Sequence, residues 1–390
     1  MHRPIASLVL LAVVASAAAL APPAAAAEAN HVLHADGRVE FRVHAPQARS
    51  VGLVSWTFPR DPATPPEDKR PPAAPFARAA DGAWTFTWGP LAPGVHEYRF
   101  RIDEFDTRDP KNPERSTINW SVITVPSPAD AARLPWEYDP AVPSGAVHRH
   151  RYFNPEAGGV REVLIYTPPG YENSAERRYP VVFLLHGSGG EAGSWTSPVG
   201  RADIILDRRV AAGGTPRILV MPNGHVPERD HEGPPHRRFA AFFEDFERHV
   251  LPLVESRYRL SADRRDWALA GLSMGGTQTV ELMLRNPARF AAVGVFSAGF
   301  AWTDEQHREA APRLASLAAA PASRRPDLLW VACGTNDFAH ARARRLVAAL
   351  EGTPLAPVVH EDDSAHTWAA WRDFLPRFLD LLDARSPSSL

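Results

Sequence analysis

The sequence of 390 residues has little cysteine, little lysine and no surplus of either charge. Cys333 is its only cysteine, so an intrachain disulfide is excluded and stability must come from the packed core. It follows the apolar run 328–332 and reads as a small buried hydrophobe with no catalytic part. Lys69 and Lys111 are the only lysines, and arginine supplies the other basic side chains. The 43 basic residues nearly balance 45 acidic ones, a net charge of −2. That leaves no electrostatic footprint for nucleic acid or an acidic membrane surface. No internal repeat and no nucleotide-binding glycine pattern is visible.

The apolar stretch 5–20 falls short of the roughly 20 residues that span a bilayer. It follows Arg3 and ends in small residues, the pattern of a secretory signal peptide over 1–27, cleaved near Ala26 or Ala27, rather than a retained anchor. The mature chain is therefore expected to be secreted or periplasmic, without a membrane span.

What is present is an ordinary globular balance, 44% hydrophobic and 23% charged, which excludes wholesale disorder. The 39 prolines imply long irregular connections. Across 28–127 the pattern has period two: Val39, Phe41 and Val43, then Trp84, Phe86 and Trp88, then Tyr98, Phe100 and Ile102 alternate with polar residues. This predicts a small antiparallel β-sandwich, interrupted at 58–82 by a Pro- and Ala-rich surface loop. Residues 128–145 read as a linker. From 146 to 390, apolar runs at 160–166, 181–185, 218–221, 267–272, 291–296, 328–332 and 357–359 alternate with helical spacing. Phe239, Phe242, Phe243, Phe246, Val250 and Val254 share one helical face. Strands alternating with helices predict an α/β domain with a largely parallel sheet.

Between a predicted strand and a predicted helix stands Gly271-Leu272-Ser273-Met274-Gly275, a G-x-S-x-G nucleophile elbow in its required context. The turn exposes the Ser273 hydroxyl at a helix N-terminus, where negative charge is favoured. A serine nucleophile needs a base, and the base an orienting carboxylate, in the chain order Ser, acid, His. Asp337 follows the strand at 328–332, and His366 follows the run at 357–359. Asp362 and Asp363 compete for the acid role, and His340 and His360 compete less well for the base. Ser188, in His186-Gly187-Ser188-Gly189-Gly190 after the run 181–185, and Met274 are expected to give the backbone N–H groups of an oxyanion hole. In that loop His186 is expected to shape the backbone rather than act as base.

Together with Tyr166-Thr167-Pro168-Pro169-Gly170-Tyr171, Gly334-Thr335-Asn336-Asp337 and His366-Thr367-Trp368, these motifs resemble the esterase-D-like α/β-hydrolases. The nearest likeness is to bacterial feruloyl and acetyl xylan esterases of the first carbohydrate-esterase family, with enterochelin esterases related. The resemblance covers about 143–385 and implies Ser273, Asp337 and His366 as the triad, with no metal or organic cofactor. It departs at Ala365, where the family usually has glycine. Gly94 to Phe100 and Asp109 to Pro113 resemble early-set immunoglobulin-like modules related to glycogen-binding domains, which implies an immunoglobulin-like sandwich before the hydrolase domain. In it, Trp56, Trp84 and Trp88 either stack on sugar or fill the core.

Three readings follow. The first is a secreted serine esterase acting on feruloyl or acetyl esters of plant polysaccharides. The second is a siderophore esterase or a sugar acyltransferase, and the third a non-catalytic carbohydrate-binding protein. Trp195, Trp368 and Trp371 either line an aromatic acyl pocket or pack the core. The cluster His225, Glu228, Asp230, His231, Glu232 and His236 either binds a metal or is a solvated loop, and the loop is the preferred reading.

Overall fold

The structure, a computed structural model, describes residues 29–59, 70–116, 119–226, 235–301 and 303–385. The predicted signal segment lies outside them. The period-two region forms two antiparallel sheets. One has the order β1-β2-β6-β5, from β1 (His31–Leu33), β2 (Val39–Val43), β5 (Ala77–Arg78) and β6 (Trp84–Trp88). The other has the order β4-β3-β7-β8, from β3 (Val51–Val54), β4 (Ala73–Pro75), β7 (Gly94–Ile102) and β8 (Phe105–Thr107), with β9 (Ser121–Val125) also pairing with β7. Alternation along β2 buries Val39, Phe41 and Val43 and exposes Glu40 and Arg42, as a sheet with one dry face requires. Phe41, Phe76, Trp84, Trp88, Tyr98 and Phe100 belong to one core cluster.

Two expectations are refined here. The stretch 58–82 is not wholly a loop, because Ala73–Pro75 and Ala77–Arg78 pair as short edge strands. Trp84 and Trp88 are core residues, whereas Trp56 is 48% exposed and tilts against Trp120.

The second region is one eight-stranded sheet in the order β10-β11-β13-β12-β14-β15-β16-β17. Its strands are β10 (Ala146–Asn154), β11 (Gly159–Thr167), β12 (Val181–Leu185), β13 (Ile218–Pro222), β14 (Trp267–Leu272), β15 (Ala292–Phe296), β16 (Leu328–Gly334) and β17 (Val358–Asp362). β11 pairs antiparallel with both β10 and β13, and every pairing from β13 onward in spatial order is parallel. β12 to β16 are buried apolar runs, only Trp267 at the start of β14 being partly exposed, as strands covered on both faces must be. Covering them are α1 (Ala202–Ala211), α2 (Pro235–Arg238), α3 (Ala240–Asp245), α4 (Leu251–Arg257), α5 (Met274–Arg285), α6 (Asp304–Ala318), α7 (His340–Leu350) and α8 (Trp368–Arg385). The phenylalanine face is buried throughout, but a π-turn at Phe246–Val250 interrupts the helix between α3 and α4.

No strand or helix occurs between β9 and β10. The two regions nevertheless pack together: Val95, Val122 and Trp136 join the core cluster that holds α8. The buried Arg372 of α8 lies 4.5 Å over the Trp136 ring, and Arg201 donates to Thr124 Oγ1 at 2.7 Å. No described helix is long and apolar enough to cross a membrane. Cys333 is 2% exposed, and burial pushes its thiol up, away from the reactive thiolate.

Candidate active site

Spatial order reverses at β12, flanked by β13 and β14, and such a point opens a crevice at the carboxyl ends of the strands. Ser273 stands there, between the end of β14 and the start of α5, with φ 52° and ψ −116°. Side chains rarely adopt this backbone, and the strain is held by Ser273 N donating to Phe296 O at 2.9 Å. Gly275 makes the elbow tight enough: a Cβ there would lie 2.5 Å from His186 O and 2.7 Å from Leu185 O. Only glycine lets α5 approach the end of β12 so closely.

Ser273 Oγ is 2.9 Å from His366 Nε2. On the other side of the ring, His366 Nδ1 lies 2.8 and 2.9 Å from the two Asp337 oxygens. The Asp337 carboxylate is buried and also accepts from Ala339 N at 2.7 Å. A carboxylate facing Nδ1 keeps the proton there and turns the Nε2 lone pair to the serine.

The loops carrying Asp337 and His366 are joined along their length. Thr335 N donates to Asp362 O at 2.7 Å, and Asn336 Nδ2 to Asp363 O at 2.7 Å. A Cβ on Gly334 would come within 1.8 Å of Ser364 O. The competing residues are engaged elsewhere. Asp362 accepts from Ser364, Asp363 is exposed, His340 faces Glu361 at 2.6 Å and His360 stacks on Trp330.

Ser188 and Met274 line, with Ser273, a cavity of about 210 Å³. His186 is buried behind it. Its Nε2 accepts from Gly224 N at 2.8 Å and its Nδ1 lies 2.8 Å from Gly187 O. Burial pushes this imidazole down to about 4, so it is a neutral strut of the loop. Gln278, wholly buried on α5, donates to Gly224 O at 2.9 Å and supports the same strut. No sequence signal marked it. Phe338 and Arg342 also line the cavity and were not anticipated, although Phe338 directly follows Asp337 and is 67% exposed.

Trp195 and Trp368 require a correction. They are 0% and 6% exposed, meet at 5.2 Å, and neither lines the cavity beside Ser273. The Trp195 indole donates to Leu185 O at 3.0 Å, so its polar atom is satisfied inside the core. Trp371, also buried, meets His366 edge-on at 4.9 Å and donates to Ser297 Oγ. Of the suspected metal cluster, 227–234 fall outside the described residues. His225 accepts from Gly189 N, and His236 lies 3.3 Å from Glu309. His360, Asp362 and Asp373 have ligand atoms within 4.8 Å of one another, but none of them lines the cavity.

The esterase family model matches residues 155–381, more than half of the chain. The chain belongs to the esterase family. Among its relatives, the endo-1,4-beta-xylanase/feruloyl esterase of Xylanibacter ruminicola is 27% identical over 363 residues, 90% of this chain and 45% of that protein. Esterase Rv1288 of Mycobacterium tuberculosis is 30% identical over 154 residues, 38% of this chain and 31% of that protein. This family member thus spans less than half the length of each. Among solved structures, the enterobactin esterase FES of Shigella flexneri aligns with TM-score 0.62 at 19% identity, over 88% of this chain and 92% of that one. A ferulic acid esterase aligns with TM-score 0.53 at 24% identity, over 62% of this chain and all of that one. At these identities the structural likeness establishes the fold.

Proposed function

We propose that this esterase-family chain is a secreted serine carboxylic-ester hydrolase acting on feruloyl or acetyl esters of plant polysaccharides. The observation that carries the reading is the hydrogen-bonded chain from Ser273 Oγ through His366 to Asp337, with 2.9 Å between Oγ and Nε2. His366 Nε2 removes the hydroxyl proton as Oγ attacks the ester carbonyl. The Met274 N–H, at the positive end of α5, and the Ser188 N–H receive the oxyanion. His366 then protonates the leaving alcohol, activates a water, and the acyl-enzyme is hydrolysed. Asp337 holds the imidazole and stabilises its cation.

The likeness to the Xylanibacter endo-1,4-beta-xylanase/feruloyl esterase, aligned over 90% of this chain, supports a feruloyl ester. Export is proposed from the sequence of residues 1–27. The β-rich first region is proposed to be an immunoglobulin-like module that shapes access for a carbohydrate-linked substrate. The test is initial rates on methyl ferulate and para-nitrophenyl acetate with the parent and Ser273→Ala, alongside labelling by a fluorophosphonate probe. Cleavage of both esters by the parent, lost in the variant, supports the full reading. Cleavage of acetate alone retains the serine chemistry and removes the feruloyl assignment. An unlabelled Ser273 without turnover overturns both.

A further inference from the structure

The cavity beside Ser273 is lined by two guanidinium side chains, Arg238 and Arg342, and by no carboxylate among its described residues. Arg342 is the informative one. Its neighbours on α7 are paired, Arg344 with Glu361 at 3.6 Å and Arg345 with Asp304. The half-buried Arg342 guanidinium has no ion pair or hydrogen bond among the described residues. It lies 5.7 Å over the ring of Phe338, and that ring packs at 4.1 Å on the His366 imidazole. An unpaired positive charge is thus held one aromatic ring away from the base of the proposed reaction.

Withdrawing a guanidinium from water without a counter-ion is unfavourable, and a partly enclosed cleft of one sign concentrates anions. A neutral feruloyl or acetyl ester would leave Arg342 uncompensated. A carboxylate can accept two parallel N–H bonds from it. We infer that Arg342 makes the site selective for esters that carry a carboxylate close to the scissile bond, such as an acylated sugar acid or the hemiester of a dicarboxylic acid. The inference rests on the esterase reading and narrows its substrate class.

Two matched pairs of substrates test it. In one the acyl half differs, para-nitrophenyl hydrogen glutarate against para-nitrophenyl pentanoate. In the other the alcohol half differs, the acetyl ester of meta-hydroxybenzoate against that of meta-hydroxybenzamide. The readout is the charged-to-neutral ratio of kcat/KM, which does not depend on the fraction of enzyme folded. The parent should prefer the charged member of at least one pair, and that pair identifies the half bearing the carboxylate. Arg342→Gln should lower the ratio roughly tenfold, as expected for one charge-assisted hydrogen-bonded contact, and Arg342→Lys should restore part of it. Preference for the neutral member in both pairs, or an unchanged ratio in Arg342→Gln, overturns the inference and leaves the esterase reading intact. Absence of turnover on all four esters, with Ser273 unlabelled, overturns both.

Discussion

The ring of Phe338 lies on the imidazole of His366, with centroids 4.1 Å apart and planes inclined by 38°. Trp371 meets the same imidazole edge-on. The imidazole is therefore held by two aromatic contacts in addition to its hydrogen bonds. Phe338 is 67% exposed, so its removal leaves no core cavity. Phe338→Ala should keep the melting temperature of the parent while lowering kcat/KM on para-nitrophenyl acetate roughly two- to tenfold, the worth of one aromatic pair. Unchanged kinetics would show that Trp371 and Asp337 suffice to orient the ring.

Asp337→Asn tests the acid assignment. The amide cannot hold the Nδ1 proton as a carboxylate does, and kcat should fall by about 10³- to 10⁴-fold with little change in KM. Asp363→Asn, an exposed change in the neighbouring loop, should stay near the parent. Equal losses in the two variants would remove Asp337 from the role.

Acidification should loosen the loop that carries Ser188. The folded imidazole of His186 is pushed down to about 4 by burial, below its ordinary 6.5. Between these values the unfolded chain binds the extra proton. The contribution is therefore fully present above pH 6.5 and is lost as pH falls toward 4, on the order of 3 kcal/mol in all. Asp203, raised to about 6 by burial, works against this slope: its folded form holds the proton longer, so its contribution grows as pH falls. Comparing urea melts of the parent and His186→Asn from pH 4 to 7 isolates the histidine. The parent should lose more stability than the variant on acidification, and parallel curves would exclude His186 as the cause.

Gly334→Ala should separate the two loops that meet at the site. The added methyl would fall within 1.8 Å of a backbone oxygen, Ser364 O, which cannot rotate away. A destabilisation on the order of 3 kcal/mol or more is expected from such a clash, with fluorophosphonate labelling of Ser273 slowed. Wild-type melting and labelling would show that the loops can part without consequence.

Local pattern made a large share of this protein legible. Period-two alternation marked β2, β6 and β7, and buried apolar runs marked β12 to β16, because these patterns arise within a few residues of chain. The elbow was legible for the same reason, since strand, strained serine and helix are contiguous in sequence. Pattern favoured Asp337 over Asp362 and Asp363, and in the fold it is Asp337 that faces His366 Nδ1, at 2.8 and 2.9 Å. His366 lies 29 residues from Asp337 and 93 from Ser273, and only the parallel ordering of β14, β16 and β17 brings their loops to one edge. The tryptophans show the converse: the sequence left Trp195 and Trp368 open between pocket wall and core, and packing put them in the core. Arg342 on the cavity wall had no signature in sequence, because its lack of an ion pair among the described residues is set by which carboxylates reach it in space.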